Sequence, residues 1–503
     1  MLTEISDYDI QPGLLVEFWA RPRLPGEPPD DSRPPSYLQE AHVRSVDAMR
    51  RAGCWSPSWL AMAFDLPGKV GVEQLGSVLS AWIDHHEAVR SGFRFADKHL
   101  RRFTYASGDL VVRPRVVGRF SSGRAVGVHL EAVFDRATDP LAGRPPFLGA
   151  AVVRERSTTV FTAFDHSLTD GYSCSLVPHE VHELHSALLA DRDPDLEPAG
   201  SHADYSAAER AEADGMEADH PGVQIWQRFL DRTGGVHPEF PLELGVPAGQ
   251  APESAGRLED VMSAPGAEAF EAVCRQAGGR FHTGLLAACA IAAFEAGGSQ
   301  DFCTTVPMHT RFEPQWVLSQ GWYVNVLPVH IRVGATESFT EVFARATAAM
   351  HTALRAVRVP SIRACQLIGA SPAPRFTVSY MDLRVVPGIE KWPRWNTRCL
   401  GKSDRGDHVF MWFHHGPEGV SVTTAHPETA VARNNVAAYV HRVRHVMNTV
   451  ATTGGYEVRR PMARTRLSPP APLHDLSARR QDPAGSDAAR AVRNTRSSGD
   501  PYG

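Results

Sequence analysis

The sequence predicts an α+β fold built as two similar units. Three observations lead there. Apolar residues recur at helical spacing in some windows and in β-branched or alternating runs in others, and both halves of the chain mix the two in similar proportion. Between the halves, Ala190 to Gly222 (ADRDPDLEPAG, then AERAEADGMEADHPG) is too poor in large apolar residues to form much core and reads as an acidic linker, residues 190–222. Finally, 503 residues at roughly 150 per domain allow two to four units. A composition of 43% hydrophobic and 22% charged residues is ordinary for a globular chain with real cores.

Taken in order, the elements begin after an extended N-terminal arm, residues 1–36. Pro12, Pro22, Pro25, Pro28, Pro29, Pro34 and Pro35 there fix φ and remove backbone donors. The first lobe, residues 37–189, holds a strand at about Trp59 to Leu66. A helix follows whose Val72, Leu75, Val78, Leu79, Trp82, Ile83 and His86 share one face. Short β-like runs at Phe103 to Tyr105, Leu110 to Val112 and Leu148 to Val153 lead to a β-branched and aromatic strand, Thr158 to Phe164, then a helix to about Leu189. The second lobe, residues 223–458, offers helices at Pro265 to Ala277, Thr283 to Glu295 and Ser338 to Val357, with strands at Phe302 to Val306, Tyr323 to Ile331 and Phe376 to Met381. Val409 to His414 and Val420 to Thr424 read as a hairpin across Gly416-Pro417-Glu418-Gly419, and a last helix runs from about Arg433 to Val450. From Arg459 the chain is rich in Arg, Pro, Ser and Asp, so residues 459–503 are expected to be a disordered tail.

Charge and cysteine content exclude several function classes. Lys plus Arg number 52 against 57 for Asp plus Glu, a formal charge of -5, so there is no global basic field for nucleic acid or an anionic membrane. The seven cysteines are scattered without a CxxC pair, which argues against a disulfide scaffold and a structural zinc. The start, MLTEISDYDI, is no charged-then-apolar leader, and the longest apolar run, Gly284 to Phe294, is short of the ~20 residues of a membrane span. These features predict a reduced, cytoplasmic protein.

The sharpest local feature is Asp165-His166-Ser167-Leu168-Thr169-Asp170-Gly171, where a strand hands over to a helix. Functional side chains are concentrated at such edges. A histidine there can act as a general base near neutral pH. Asp170, four residues on, is placed to fix the loop rather than to meet substrate.

His166-x-x-x-Asp170-Gly171 resembles the HxxxDG signature of the superfamily of chloramphenicol acetyltransferase, nonribosomal-peptide condensation domains and the polyketide-associated acyltransferases of actinobacteria. Further segments resemble that superfamily in order. They are Trp82 to Phe93 (WIDHHEAVRSGF), Asp301 to Arg311 (DFCTTVPMHTR), Gly321 to Pro328 (GWYVNVLP), Phe376 to Arg384 (FTVSYMDLR) and the hairpin through Met411-Trp412. The polyketide-associated branch resembles it most, and the likeness spans about Tyr37 to Val450.

The resemblance implies two chloramphenicol-acetyltransferase-like lobes in one chain, a V-shaped pseudodimer working as a monomer. It implies transfer of an acyl group from coenzyme A or a carrier-protein phosphopantetheine thioester to a hydroxyl, or an amine, in lipid or natural-product biosynthesis. The thioester is a co-substrate, with no bound cofactor; a carrier protein or a polyketide or peptide synthase is the expected partner. His166 would be the general base, Asp170 would pair with Arg311, Gly171 would allow close backbone approach, and Ser379 would donate to the oxyanion. Trp322, Tyr323 and Asn325 would line the channel. Asp165 stands where many relatives carry a first histidine. The alternatives are a free-standing condensation enzyme making an amide or ester on a carrier-bound substrate, and a non-catalytic docking scaffold. A scaffold usually loses the histidine or the Asp-Gly, and all three are present here.

Other patterns read blandly. His179, His182 and His185 are three apart rather than the four a zincin requires, so no metal site is expected. Gly171-Tyr-Ser173-Cys-Ser175 lacks the last glycine of a nucleophile elbow. His85-His86 and His414-His415 read as structural or exposed, and no P-loop or G-x-G-x-x-G supports a nucleotide.

Overall fold

Two large β-sheets carry the helices of a mixed α+β chain. The structure is a computed structural model that describes residues 2–461 except 248, 403 and 404. The first sheet has seven strands in the order Leu2–Thr3, Arg398–Lys402, Trp59–Pro67, Ser157–Phe164, Phe147–Val153, Leu14–Pro22, Leu110–Arg119. The second has six, in the order Ser254–Ser263, Gly419–Pro427, Val409–Gly416, Phe376–Asp382, Asp301–His309, Val324–Arg332. A small third sheet joins Asp30–Asp31, His99–Thr104 and Ser91–Ala96.

Ser157–Phe164 is central because its Thr, Val, Phe and Ala residues are buried on both faces, with no polar alternation to turn toward water. It pairs antiparallel with a neighbour on each side, so Phe164 lies between Leu60 and Phe147 and fixes the point where the chain leaves the sheet at Asp165. The helices Val72–His85 and Gly171–Leu189 cover one face through Leu75, Leu79, Trp82, Val177 and Val181. Gly123–Ala137 covers the other through Leu130 and Phe134. In the second lobe the run around Gly284 to Phe294 forms the helix Phe281–Gly297. It is buried on all sides, the behaviour of a core helix. The expected hairpin forms with Gly416 opposite Gly419. Gly419 has φ +128°, and a Cβ there would meet the Met262 carbonyl oxygen at 2.2 Å, so only glycine fits.

The structure differs from the sequence reading in three places. Residues 1–36 are no free arm. Leu14–Pro22 is an inner strand with Leu15, Val16 and Phe18 fully buried, because the prolines at 12 and 22 bracket the strand instead of interrupting it. The linker contains the helix His202–Ala213, and Pro221–Arg232 begins within it. His202, Tyr205 and Ser206 share one buried face that an average over a polar composition hides. Nor does the second lobe keep to itself. Leu383, Val386, Ile389 and Trp392 join the first lobe's core, and Arg398–Lys402 pairs with Trp59–Pro67. The tail expected from Arg459 lies, beyond Pro461, outside the described residues.

Candidate active site

The chain leaves Ser157–Phe164 and makes one 3-10 turn, His166–Leu168, before the helix Gly171–Leu189. The Asp165 side chain caps that turn by accepting the Ser167 N–H at 2.9 Å. The His166 ring is half-buried amid neighbours that are fully buried. Its Nδ1 lies 2.9 Å from the Thr169 carbonyl oxygen. A carbonyl only accepts, so Nδ1 carries the hydrogen and the lone pair of neutral His166 sits on Nε2. Burial, with the His42 imidazole nearby, holds the His166 pKa below its usual value, so the ring is neutral at physiological pH.

Asp170 is the N-cap of Gly171–Leu189 and accepts the Ser173 N–H at 2.7 Å. Both its oxygens lie 3.1 Å from Arg311 Nη2, and the Tyr323 N–H donates to it at 2.9 Å. Burial alone would raise the Asp170 pKa, but the Arg311 guanidinium and the N–H donors outweigh it and the carboxyl stays below the usual range. Arg311 also donates to the Trp316 and Ser319 carbonyls and to Ser173 Oγ, and it lies over the Tyr323 ring. Asp170 thus ties the two halves together and stands behind the site.

The other expected residues separate into different roles. Trp322 stacks on His166 with centroids 4.0 Å apart and 29° between planes. Tyr323 is buried among His202, Tyr205 and Arg311. Asn325 is pinned to the backbone. Its amide nitrogen donates to the Val357 and Val359 carbonyls, and its oxygen accepts the Val326 and Ser361 N–H groups. Every polar position of that side chain is used internally, which makes it a brace rather than channel lining. A Cβ on Gly171 would come 3.2 Å from the Met381 methyl, so the close approach is to a flexible side chain of the second sheet. Ser379, half-buried, precedes Met381 by two residues in Phe376–Asp382 and faces the same side of that strand.

Competing nucleophiles are disposed of by their partners. Ser173 Oγ is buried, accepts from Arg311 and donates to the Gly321 carbonyl at 2.8 Å. Burial pushes the Cys174 thiol pKa well up. His182 stacks on Trp395 at 3.8 Å and burial lowers its pKa to about 4, so it packs the crossing segment. His86 donates to Glu180, which also accepts the Trp82 N–H, making it structural. Among the described residues no three His, Cys, Asp or Glu side chains gather as a metal site. No helix among them is long and apolar enough to cross a membrane.

Sequence reasoning missed the helix Tyr37–Arg51, which supplies Gln39 and His42 to the turn. Its signal was available as the capping box Ser36-x-x-Gln39.

Comparison with known proteins places the chain in a family and a fold. The Condensation domain family model matches residues 56–363. The acyltransferase PapA3 of Mycobacterium tuberculosis is 25% identical over 432 residues, covering 84% of this chain and 90% of its own. The 2'-acyl-2-O-sulfo-trehalose (hydroxy)phthioceranyltransferase PapA1 of Mycobacterium bovis is 26% identical over 469 residues, covering 91% and 90%. The solved structure of the PapA2 acyl transferase superposes with a TM-score of 0.81 at 23% identity, over 90% of this chain and 99% of that one. It shares the two-lobed fold.

Proposed function

This chain belongs to the condensation-domain family, and on that footing we propose that it is an ester-forming enzyme with His166 as general base, acylating a hydroxyl from a thioester donor. The relatives are named acyltransferases, and acyl transfer is this enzyme's activity as well. One observation carries the assignment of roles: His166 Nδ1–H is committed to the Thr169 carbonyl, which leaves the Nε2 lone pair of a half-buried, neutral ring to take a proton.

The acceptor hydroxyl gives its proton to His166 Nε2 as its oxygen attacks the thioester carbonyl. The tetrahedral intermediate collapses, the carbon–sulfur bond breaks, and the departing thiolate takes the proton from the imidazolium. No acyl-enzyme is required, in keeping with the engaged Ser173 and the raised Cys174 thiol. Ser379, on the same side of Phe376–Asp382 as Met381, is the candidate hydroxyl donor to the oxyanion. The acceptor class is a sugar hydroxyl, by analogy with the sulfo-trehalose in the name of PapA1. The donor is coenzyme A or a carrier-protein arm.

Free-thiol release from acyl-coenzyme A donors of increasing length, with sugar and alcohol acceptors, tests this. Replacing His166 with Ala is expected to cut kcat/KM by about 10²–10⁴ with an unchanged circular dichroism spectrum. Acceptor-dependent turnover at the wild-type rate in that variant refutes the role of His166. Release only from carrier-protein thioesters assigns the donor.

A further inference from the structure

We propose that His42 is a positioning residue for His166, holding through Asp165 the turn on which the base stands and setting the Trp322 indole against its ring. This rests on His166 as the base.

The helix Tyr37–Arg51 presents Gln39 and His42, one turn apart on the same face, to the 3-10 turn. Gln39 Nε2 donates to the Ser167 carbonyl at 2.7 Å, and His42 Nε2 lies 2.9 and 3.1 Å from the two Asp165 oxygens. Asp165 in turn caps the turn through Ser167. The turn is therefore gripped at Asp165 and Ser167, the two residues that flank His166. Asp165 thus has an imidazole beside it, delivered by a helix residue 123 positions away in the chain.

Trp322 couples His42 to His166 by a second route. His42 meets the indole edge-on, with centroids 5.7 Å apart at 82°, while His166 stacks on it. The backbone carbonyl of Trp322 accepts from His202 Nε2, whose Nδ1 faces Gln39, so the Trp322 backbone is held by the same network. A ring stacked on the base fixes the plane in which the Nε2 lone pair points.

The charges around His166 give His42 a signature that packing alone lacks. His42 faces the base from Tyr37–Arg51, and Asp165 and Asp170 flank it on its own turn. Arg311, from the loop after Asp301–His309, neutralises Asp170, and His202 and Arg102 lie behind Gln39. Replacing the imidazole with an uncharged side chain removes the coulombic opposition of His42 to a proton on His166 and leaves the Asp165 carboxylate's field on it, which favours the imidazolium.

The test is the pH profile of kcat/KM for wild type, His42→Gln, His42→Phe and His166→Ala. Gln keeps a nitrogen donor near the place of Nε2, and Phe keeps only the ring. The inference expects the acid limb to move to higher pH by about half a unit or more in both His42 variants. It also expects a plateau loss of about tenfold or more in His42→Phe that His42→Gln largely rescues. An acid limb unmoved in both variants, with or without a lower plateau, overturns it. If the limb of wild type persists in His166→Ala, the base itself is misassigned, a result separate from any behaviour of His42.

Discussion

Replacing Asp170 with Ala removes a carboxylate that accepts the Ser173 and Tyr323 N–H groups and meets Arg311 with both oxygens. Asp170 is only 2% exposed and Arg311 only 7%, so water does not take its place. Breaking a buried pair by removing one partner costs about 3–5 kcal/mol, and the lost N-cap adds about 1 kcal/mol. A loss of about 4–6 kcal/mol is a large part of the ~5–15 kcal/mol that typically holds a domain folded. The assay is denaturant unfolding of Asp170→Ala, Arg311→Met and the double variant, with the pair's coupling read from the cycle. The double variant no longer strands a buried guanidinium, so its loss is expected to fall short of the sum of the singles by about 2–3 kcal/mol. A single-variant loss under about 1 kcal/mol, or additivity within about 0.5 kcal/mol, refutes the reasoning. Additivity would leave Asp170 held by its backbone donors, with the ion pair incidental.

Two further outcomes follow from buried groups. Burial lowers the His202 pKa to about 3, so the folded protein keeps that ring neutral while the unfolded chain takes up a proton below about pH 6.5. Stability is expected to fall by about 2–3 kcal/mol between pH 6.5 and 4.5 from this residue alone, and below about pH 4 the lowered carboxyls of Asp165, Asp170 and Glu180 add their own loss as they protonate. A denaturation midpoint that stays flat from pH 6.5 to 4.5 contradicts this. Replacing Asn325 with Ala is expected to cost about 2–4 kcal/mol, because the Val357 and Val359 carbonyls and the Ser361 N–H lose their partners. A raised KM with an unchanged melting temperature returns Asn325 to the substrate channel.

Most of the individual elements were legible because their apolar periods are local. The strand Ser157–Phe164, the helix Val72–His85 and the buried helix Phe281–Gly297 each declare themselves within one window. The residues around His166 were legible differently, through an ordered resemblance, and the structure pairs Asp170 with Arg311 and stacks Trp322 on His166. What stayed hidden depends on distance along the chain. Arg398–Lys402 has a single fully buried apolar side chain, Leu400, and becomes a strand only because Trp59–Pro67 offers an open edge. His42 lies 123 positions from Asp165, and no periodicity in Tyr37–Arg51 marks it out from other polar helical residues. Asn325 fitted a motif whose likeness gave position but not the direction of its amide.

The strand Arg398–Lys402 also imposes an order in time. As the chain is made, Trp59–Pro67 and its neighbours emerge early, yet the strand that covers their edge follows only after most of the second lobe. At ~5–20 residues per second that interval is roughly 15 to 70 s, during which an unpaired edge with apolar residues on both faces is open to other chains. The N-terminal lobe is thus a dependent of the lobe made after it. Expression of the first half alone amounts to arresting the protein at its most adhesive moment.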